Sequence, residues 1–89
     1  MRLLLVLLLT LGTAAAESQL ERECAYLAAW AYAGALARED GFSERVALRF
    51  LSDVDETTKN VIRTVYAWPK QSPTTVRAAY YRQCLAGGV

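Results

Sequence analysis

The sequence of 89 residues predicts an all-α domain, a compact bundle of about four short helices with the first and last helices linked by one disulfide bond. Three observations lead to this prediction. Apolar residues recur at three- and four-residue steps, and no segment after residue 16 shows the two-residue alternation of a half-buried strand. Residues that cap helices precede the apolar segments. The two cysteines, Cys24 and Cys84, stand far apart in the chain.

Residues 1–16 have the pattern of a cleaved secretory signal peptide. Arg2 supplies a positive start, a leucine-rich run follows, and Ala14 and Ala16 occupy the positions that favour small residues at the cleavage site. The apolar run is shorter than the roughly 20 residues that span a bilayer, although an uncleaved anchor is the alternative. We therefore expect cleavage after Ala16, one helical domain over residues 17–89, and a periplasmic or secreted protein.

The first helix is predicted over residues 19–39. Ser18 and Glu21 have the spacing of a capping box, in which each residue's side chain accepts a hydrogen bond from the other's backbone. Gly41 suits the left-handed position that follows a helix. The expected apolar stripe of this helix consists of Leu20, Cys24, Leu27, Ala31 and Ala35.

A shorter second helix is predicted over about residues 44–53, with Ser43 as its cap. Its expected apolar face carries Val46, Phe50 and Val54. Ala47 and Leu51 lie beside that face.

The third helix is predicted to begin at Asp55 or Thr57, either of which can act as its cap. It is expected to end at about Trp68, because Pro69 disfavours helical geometry in the residue before it. Its inward positions are expected to be Val61, Ile62, Val65 and Trp68.

The fourth helix is predicted from the pair Ser72-Pro73 to about Leu85. Serine at the cap followed by proline at the first helical position is a strong start signal. Its inward residues are expected to be Val76, Ala79, Tyr80 and Cys84.

Cys24 and Cys84 are expected to form an intramolecular disulfide, because an exported chain meets an oxidising compartment. The closed loop of about 60 residues corresponds to roughly 4 kcal/mol of stabilisation by loop entropy. Cys-x-x-Cys spacing, typical of a redox site, is absent, and two thiolates without histidine do not complete a zinc site. The bridge favours an antiparallel first and fourth helix.

The composition argues against catalysis and nucleic-acid binding. The chain has no histidine, the commonest general base and metal ligand, and its acidic residues and serines occupy positions that helix caps explain. The chain has ten basic and nine acidic residues, so it lacks the clear excess of basic residues that nucleic-acid binders carry. We therefore predict no enzyme, no catalytic residue, no metal site, no cofactor and no nucleic-acid partner.

Four residues of the C-terminal part are predicted partner contacts: Trp68, Tyr81, Arg77 and Arg82. Tyrosine, tryptophan and arginine are enriched at protein interfaces. The alternative is that the aromatic side chains form core and the arginines a solvated face. All acidic residues lie at or before Glu56 and five basic residues follow it. We interpret this asymmetry as internal neutralisation, with weak contact to an anionic envelope surface as the alternative.

Several landmarks in order resemble a family: Cys24, the helix end over residues 37–41, the segment 66–69, Ser72-Pro73 and Cys84. They resemble small uncharacterised exported two-cysteine helical proteins of Gram-negative bacteria. The resemblance implies a periplasmic helical domain and no particular activity. A looser likeness is to periplasmic immunity proteins of interbacterial toxin systems.

The expected function is a non-enzymatic periplasmic module that binds another periplasmic protein. It is motivated by the export signal, the disulfide-linked bundle and the aromatic residues. The alternatives are an immunity or inhibitor protein against a toxic enzyme and an envelope-associated structural factor.

Overall fold

The computed structural model describes residues 18–87, and these residues form four α-helices. The helices are Gln19–Glu39 (α1), Glu44–Phe50 (α2), Glu56–Ala67 (α3) and Pro73–Leu85 (α4). No strand occurs between residues 18 and 87, so the predicted all-α class is confirmed. None of these helices has the length and apolar character needed to cross a membrane. The predicted signal peptide, residues 1–16, lies outside the described residues.

Each helix begins at a predicted cap. The Glu21 N–H donates to Ser18 Oγ (3.0 Å), and the Ser18 N–H donates to Glu21 Oε1 (3.4 Å), which completes the capping box of α1. Asp55, and not Thr57, caps α3, because its Oδ1 accepts the N–H of the third helical residue at 2.9 Å. The other two caps are Ser43 for α2 and Ser72 for α4.

The end of α1 reverses the chain through a left-handed glycine. Gly41 has φ +90°, a conformation that costs other residues more than glycine. The Gly41 N–H donates to Arg38 O (3.1 Å) and the Phe42 N–H donates to Ala37 O (3.0 Å), which is the Schellman pattern. Phe42 is thereby held against the last turn of α1.

Helices α1 and α4 run antiparallel and are joined by the predicted disulfide. Cys24 in the early turns of α1 is bonded to Cys84 in the last turn of α4, with 5.6 Å between their Cα atoms. Towards the other end of the pair, the Arg77 guanidinium lies 5.8 Å from the ring centre of Tyr32. The core between α1, α3 and α4 consists of Ala28, Ala31, Ala35, Val61, Val65, Val76 and Tyr80.

Helix α3 runs parallel to α1. Gly34 lies against Ile62, and further along both helices the Arg38 guanidinium reaches the C-terminal end of α3. Its Nη1 donates to Trp68 O (2.7 Å) and to Val65 O (3.3 Å). The last carbonyl groups of a helix lack donors within the helix. Arg38, on the neighbouring helix α1, supplies a donor to two of them at the end of α3.

Replacing Arg38 with alanine is expected to lower the free energy of unfolding by about 2 kcal/mol, because two half-buried carbonyl groups lose a charged donor. Urea unfolding followed by far-ultraviolet circular dichroism measures the change. Arg82→Ala, which removes an exposed arginine, is the control and is expected to stay within about 0.5 kcal/mol of the wild type. An unchanged midpoint for Arg38→Ala would mean that these bonds add no net stability.

Three details differ from the predictions. Helix α2 ends at Phe50 rather than near residue 53, because the chain must turn and become extended at Asp55 to cap α3. Leu20 is 51% exposed, because α4 is already ending where α1 begins, and Ala28 belongs to the buried stripe instead. Phe50 was expected on the apolar face of α2, yet it is 77% exposed, because the buried face centres on Ala47.

Candidate functional site

An apolar groove lies between α1 and α2, and we call it the aromatic groove. Its volume is about 170 Å³, similar to the roughly 150 Å³ of cavities that take up a benzene ring. All of its lining residues are apolar, so an apolar side chain that enters it leaves no polar group unpaired. They are Trp30, Ala33, Gly34, Ala37, Phe42, Ala47, Phe50, Leu51 and Ile62.

Two phenylalanine rings stand at the groove. The ring centres of Phe42 and Phe50 are 6.1 Å apart with planes at 78°, an edge-to-face pair. Phe42 is 46% exposed and Phe50 is 77% exposed. An exposed pair of large apolar rings beside an apolar groove is typical of an interaction surface.

The backbone at Phe42 is fixed from two sides. The Schellman turn holds its N–H, and the Tyr66 hydroxyl donates to its carbonyl oxygen at 2.8 Å. Burial raises the pKa of the Tyr66 hydroxyl, although the nearby Arg38 guanidinium acts in the opposite direction. Tyr66 therefore remains a neutral donor at physiological pH, and the start of α2 stays anchored to α3.

Small residues make room for the groove on α1. Ala33, Gly34 and Ala37 carry at most a methyl group, so no side chain at these positions projects far from α1 where α2 passes. Helix α2 has only seven residues, and Ala47 is its buried contact. The small side chains of α1 and Ala47 of α2 leave a gap between the two helices. The rings of Phe42 and Phe50 fill this gap only in part.

A second depression lies on the same side of α1, nearer its N-terminus, and we call it the N-terminal depression. Its volume is about 540 Å³. Tyr26, 58% exposed, is its large apolar surface. A hydrogen bond from the Thr58 backbone N–H holds the pKa of Asp55 below its usual value, so this carboxylate is charged at neutral pH. The lining is Gln19, Arg22, Glu23, Tyr26, Leu27, Asp55, Thr57 and Thr58.

The predicted contact residues, three on α4 and Trp68 at the end of α3, are divided between two flanks of α4. Arg77 and Tyr81 line one shallow groove together with Ala25, Ala28, Thr74 and Ala78. Trp68 lines another with Pro69, Gln71, Ala79 and Gln83, and its ring centre lies 5.9 Å from that of Tyr80. Trp68 and Tyr81 are half-buried against the core, and Arg82 is exposed. The structure therefore brings Arg77 and Tyr81 together and separates them from Trp68.

Phe42 and Phe50 are not among the partner contacts that the sequence predicts. A signal was present, since these are the two phenylalanines of the chain and they flank a helix of only seven residues. A helix that short has little face to bury, so two large rings at its ends cannot both be covered.

Several other polar groups of residues 18–87 form contacts within the protein. The Glu56 carboxylate pairs with Arg63 (3.2 Å) and Lys59 (3.7 Å), and the hydrogen bond from Arg63 lowers its pKa. Both cysteines are in the disulfide. Across residues 18–87, no group of three carboxylate, thiol or imidazole side chains is arranged to hold a metal ion. The aromatic groove, in contrast, can bury apolar surface of a ligand or partner.

No protein-family model matches this sequence, and neither a curated protein nor a solved structure shows significant similarity to it. No residue role can therefore be transferred from a relative.

Proposed function

We propose that this protein is an exported, non-enzymatic binding module that holds an apolar segment of another protein in the aromatic groove. The observation that carries the proposal is the ring of Phe50, 77% exposed beside a groove with a wholly apolar lining. Covering a phenylalanine side chain contributes about 1.5–3 kcal/mol. That amount is typical of a residue that dominates an interface.

The rigidity of the groove supports the same proposal. Its floor belongs to α1, which the disulfide ties to α4 and which Arg38 ties to α3. Its far wall begins at Phe42, held by the turn and by Tyr66. A surface that is already ordered loses little conformational entropy when a partner binds, so more of the contact energy remains as affinity.

The disulfide indicates an oxidising setting outside the cytoplasm. The signal-peptide pattern of residues 1–16 is the support for export. We propose the periplasm as the compartment and another periplasmic protein as the partner.

Replacing Phe50 with serine is expected to weaken capture of the partner by about tenfold or more, because the central apolar contact is lost. The immobilised protein is incubated with periplasmic extract, captured proteins are quantified by mass spectrometry, and the dissociation constant is then measured for the protein that is identified. Leu36→Ser is the matched control, since Leu36 is an exposed apolar residue of α1 that does not line the groove. Its capture is expected to equal that of the wild type.

Equal capture by wild type and Phe50→Ser would contradict binding in the aromatic groove. The pair Tyr81→Ala and Trp68→Ala tests the two α4 grooves in the same assay. If these variants lose the captured protein while Phe50→Ser keeps it, the contact lies on α4 instead.

A further inference from the structure

We infer that the side of the molecule with the aromatic groove and the N-terminal depression binds a second copy of the chain. In the resulting two-fold dimer, α2 of each copy lies over the N-terminal half of the other copy's α1. The inference rests on the proposed function, because the exposed Phe50 ring takes part in both contacts. It depends on the lengths of α1 and α2, on the exposed groups of both, and on the direction of α2.

Helix α2 covers only part of α1. Helix α1 has 21 residues and α2 has seven, and the aromatic groove between them begins at Trp30. The preceding turns of α1 carry the N-terminal depression, which has no helix of residues 18–87 over it. Tyr26, one turn before Trp30, is more than half exposed. The uncovered stretch is therefore about as long as α2, and it combines the Tyr26 ring with polar and charged side chains.

The outward face of α2 carries positive charge, and an aromatic ring stands at the end of the helix on the side of the aromatic groove. Arg45 and Arg49 lie one turn apart on the side opposite the buried Ala47, and both are exposed. Neither guanidinium forms an ion pair with any residue from 18 to 87. Phe50 follows at the end of the same helix. Helix α2 thus has an apolar contact and two cations available for a partner.

The N-terminal depression has the complementary groups. Glu23 and Asp55 supply two carboxylates against the single guanidinium of Arg22. Glu23 accepts a hydrogen bond from the uncharged amide of Gln19 (3.1 Å), which leaves its charge to be compensated. The Tyr26 ring offers an apolar face and a site for cation–π contact. A basic helix with an aromatic ring fits this depression, and α2 is such a helix.

The direction of α2 brings these groups into register. Phe42, just before α2, is bonded to Tyr66 near the end of α3, while Asp55, after α2, caps the start of α3. Helix α2 therefore runs antiparallel to α3, and so to α1. A two-fold axis perpendicular to α1 near Trp30 reverses this direction for the second copy. Arg45 then lies over the second copy's Glu23, and the exposed ring of Phe50, at the end of α2, lies beside its Tyr26.

Both contacts occur twice, because a two-fold interface uses the same surface on each copy. An interface made by two short helices is at the low end of the roughly 1,200–2,000 Å² of stable complexes. We therefore expect a reversible dimer whose population depends on concentration. Its affinity is expected to fall with added salt, because exposed charge pairs are screened.

Sedimentation velocity of the purified protein, from micromolar to near-millimolar concentration, tests the dimer. The wild type is expected to shift from monomer to dimer as concentration rises. Arg45→Glu is expected to weaken association about tenfold or more, because it places a carboxylate against Glu23. An acidic residue in the first turn of α2 suits the helix dipole, so α2 itself is expected to persist.

A charge reversal at Glu23, alone and combined with Arg45→Glu, is the decisive test of the dimer. Glu23→Arg alone is expected to weaken the dimer as Arg45→Glu does, and the two together are expected to restore association to within about threefold of the wild type. Arg82→Glu is the matched control, because it makes the same charge change at an exposed position of α4. Its association is expected to be unchanged.

A monomer at every concentration, or a dimer that the charge changes neither weaken nor restore, overturns the inference. The capture assay separates this result from the proposed function. A monomer that still captures another protein through Phe50 leaves the proposed function standing and removes the dimer. A dimer restored by the paired charge changes, with no other protein captured, supports the dimer and counts against a different partner.

Discussion

Replacing both cysteines with alanine is expected to lower the free energy of unfolding by about 4 kcal/mol. Cys24 and Cys84 are separated by 60 positions, and removing the bond frees that loop in the unfolded chain. Domains of this size have total stabilities of about 4–10 kcal/mol. The variant is therefore expected to retain at most about 60% of its stability.

The core explains why the bond matters so much. On α1 the buried positions around the disulfide are alanines: Ala28, Ala31 and Ala35. Alanine buries little apolar area, so α1 and α4 gain less from packing than helices that meet through leucine or isoleucine. Alanines let the backbones of α1 and α4 approach closely, but they contribute little hydrophobic stabilisation. The disulfide bond offsets that loss.

Urea unfolding of the wild type and of the double alanine variant measures this effect. A thiol assay on the denatured wild type is expected to find no free thiol, and reduction of the wild type is expected to reproduce the behaviour of the variant. Two free thiols, or equal unfolding midpoints for the two proteins, would contradict the prediction.

Replacing Gly34 with leucine is expected to lower the free energy of unfolding by about 3 kcal/mol. A Cβ atom at Gly34 meets Ile62 Cδ1 at 3.0 Å and Val65 Cγ1 at 3.7 Å, so the methyl groups of a leucine at this position have no space between α1 and α3. Gly34→Ala is expected to be nearly neutral. The gain of about 1 kcal/mol in helix propensity is offset by displacement of the flexible end of Ile62.

Ala29→Leu is the control for the leucine substitution, because Ala29 is exposed on the same helix. It is expected to stay within about 0.5 kcal/mol of the wild type. Thermal and urea unfolding of the three variants provide the comparison. If Gly34→Leu is as stable as Ala29→Leu, α1 and α3 do not approach each other at Gly34 as described.

The helix boundaries were largely predictable because their signals are local. A cap acts on backbone groups three residues away, as Ser18 and Ser72 do, and Pro69 acts on the residue before it. The disulfide was equally determined, since two cysteines allow one intramolecular pair. None of these inferences required knowledge of how the helices pack.

The candidate site was not predictable in the same way. Spacing placed Phe50 on the apolar face of α2, but whether that face is covered depends on the neighbouring helix. Ala47 is the buried residue of α2, and a side chain this small cannot cover a ring at the helix end. Likewise, Tyr26 is exposed because α2 is shorter than α1.

The sequence by itself thus determined four helices, their caps and the covalent link between the first and the last, because each depends on interactions within a few residues or on the identity of two cysteines. Only the tertiary structure decided which apolar residues remain uncovered. Exposure is a property of helices that meet across many residues of sequence, where their relative lengths and directions leave Phe42, Phe50 and Tyr26 on one side of the molecule.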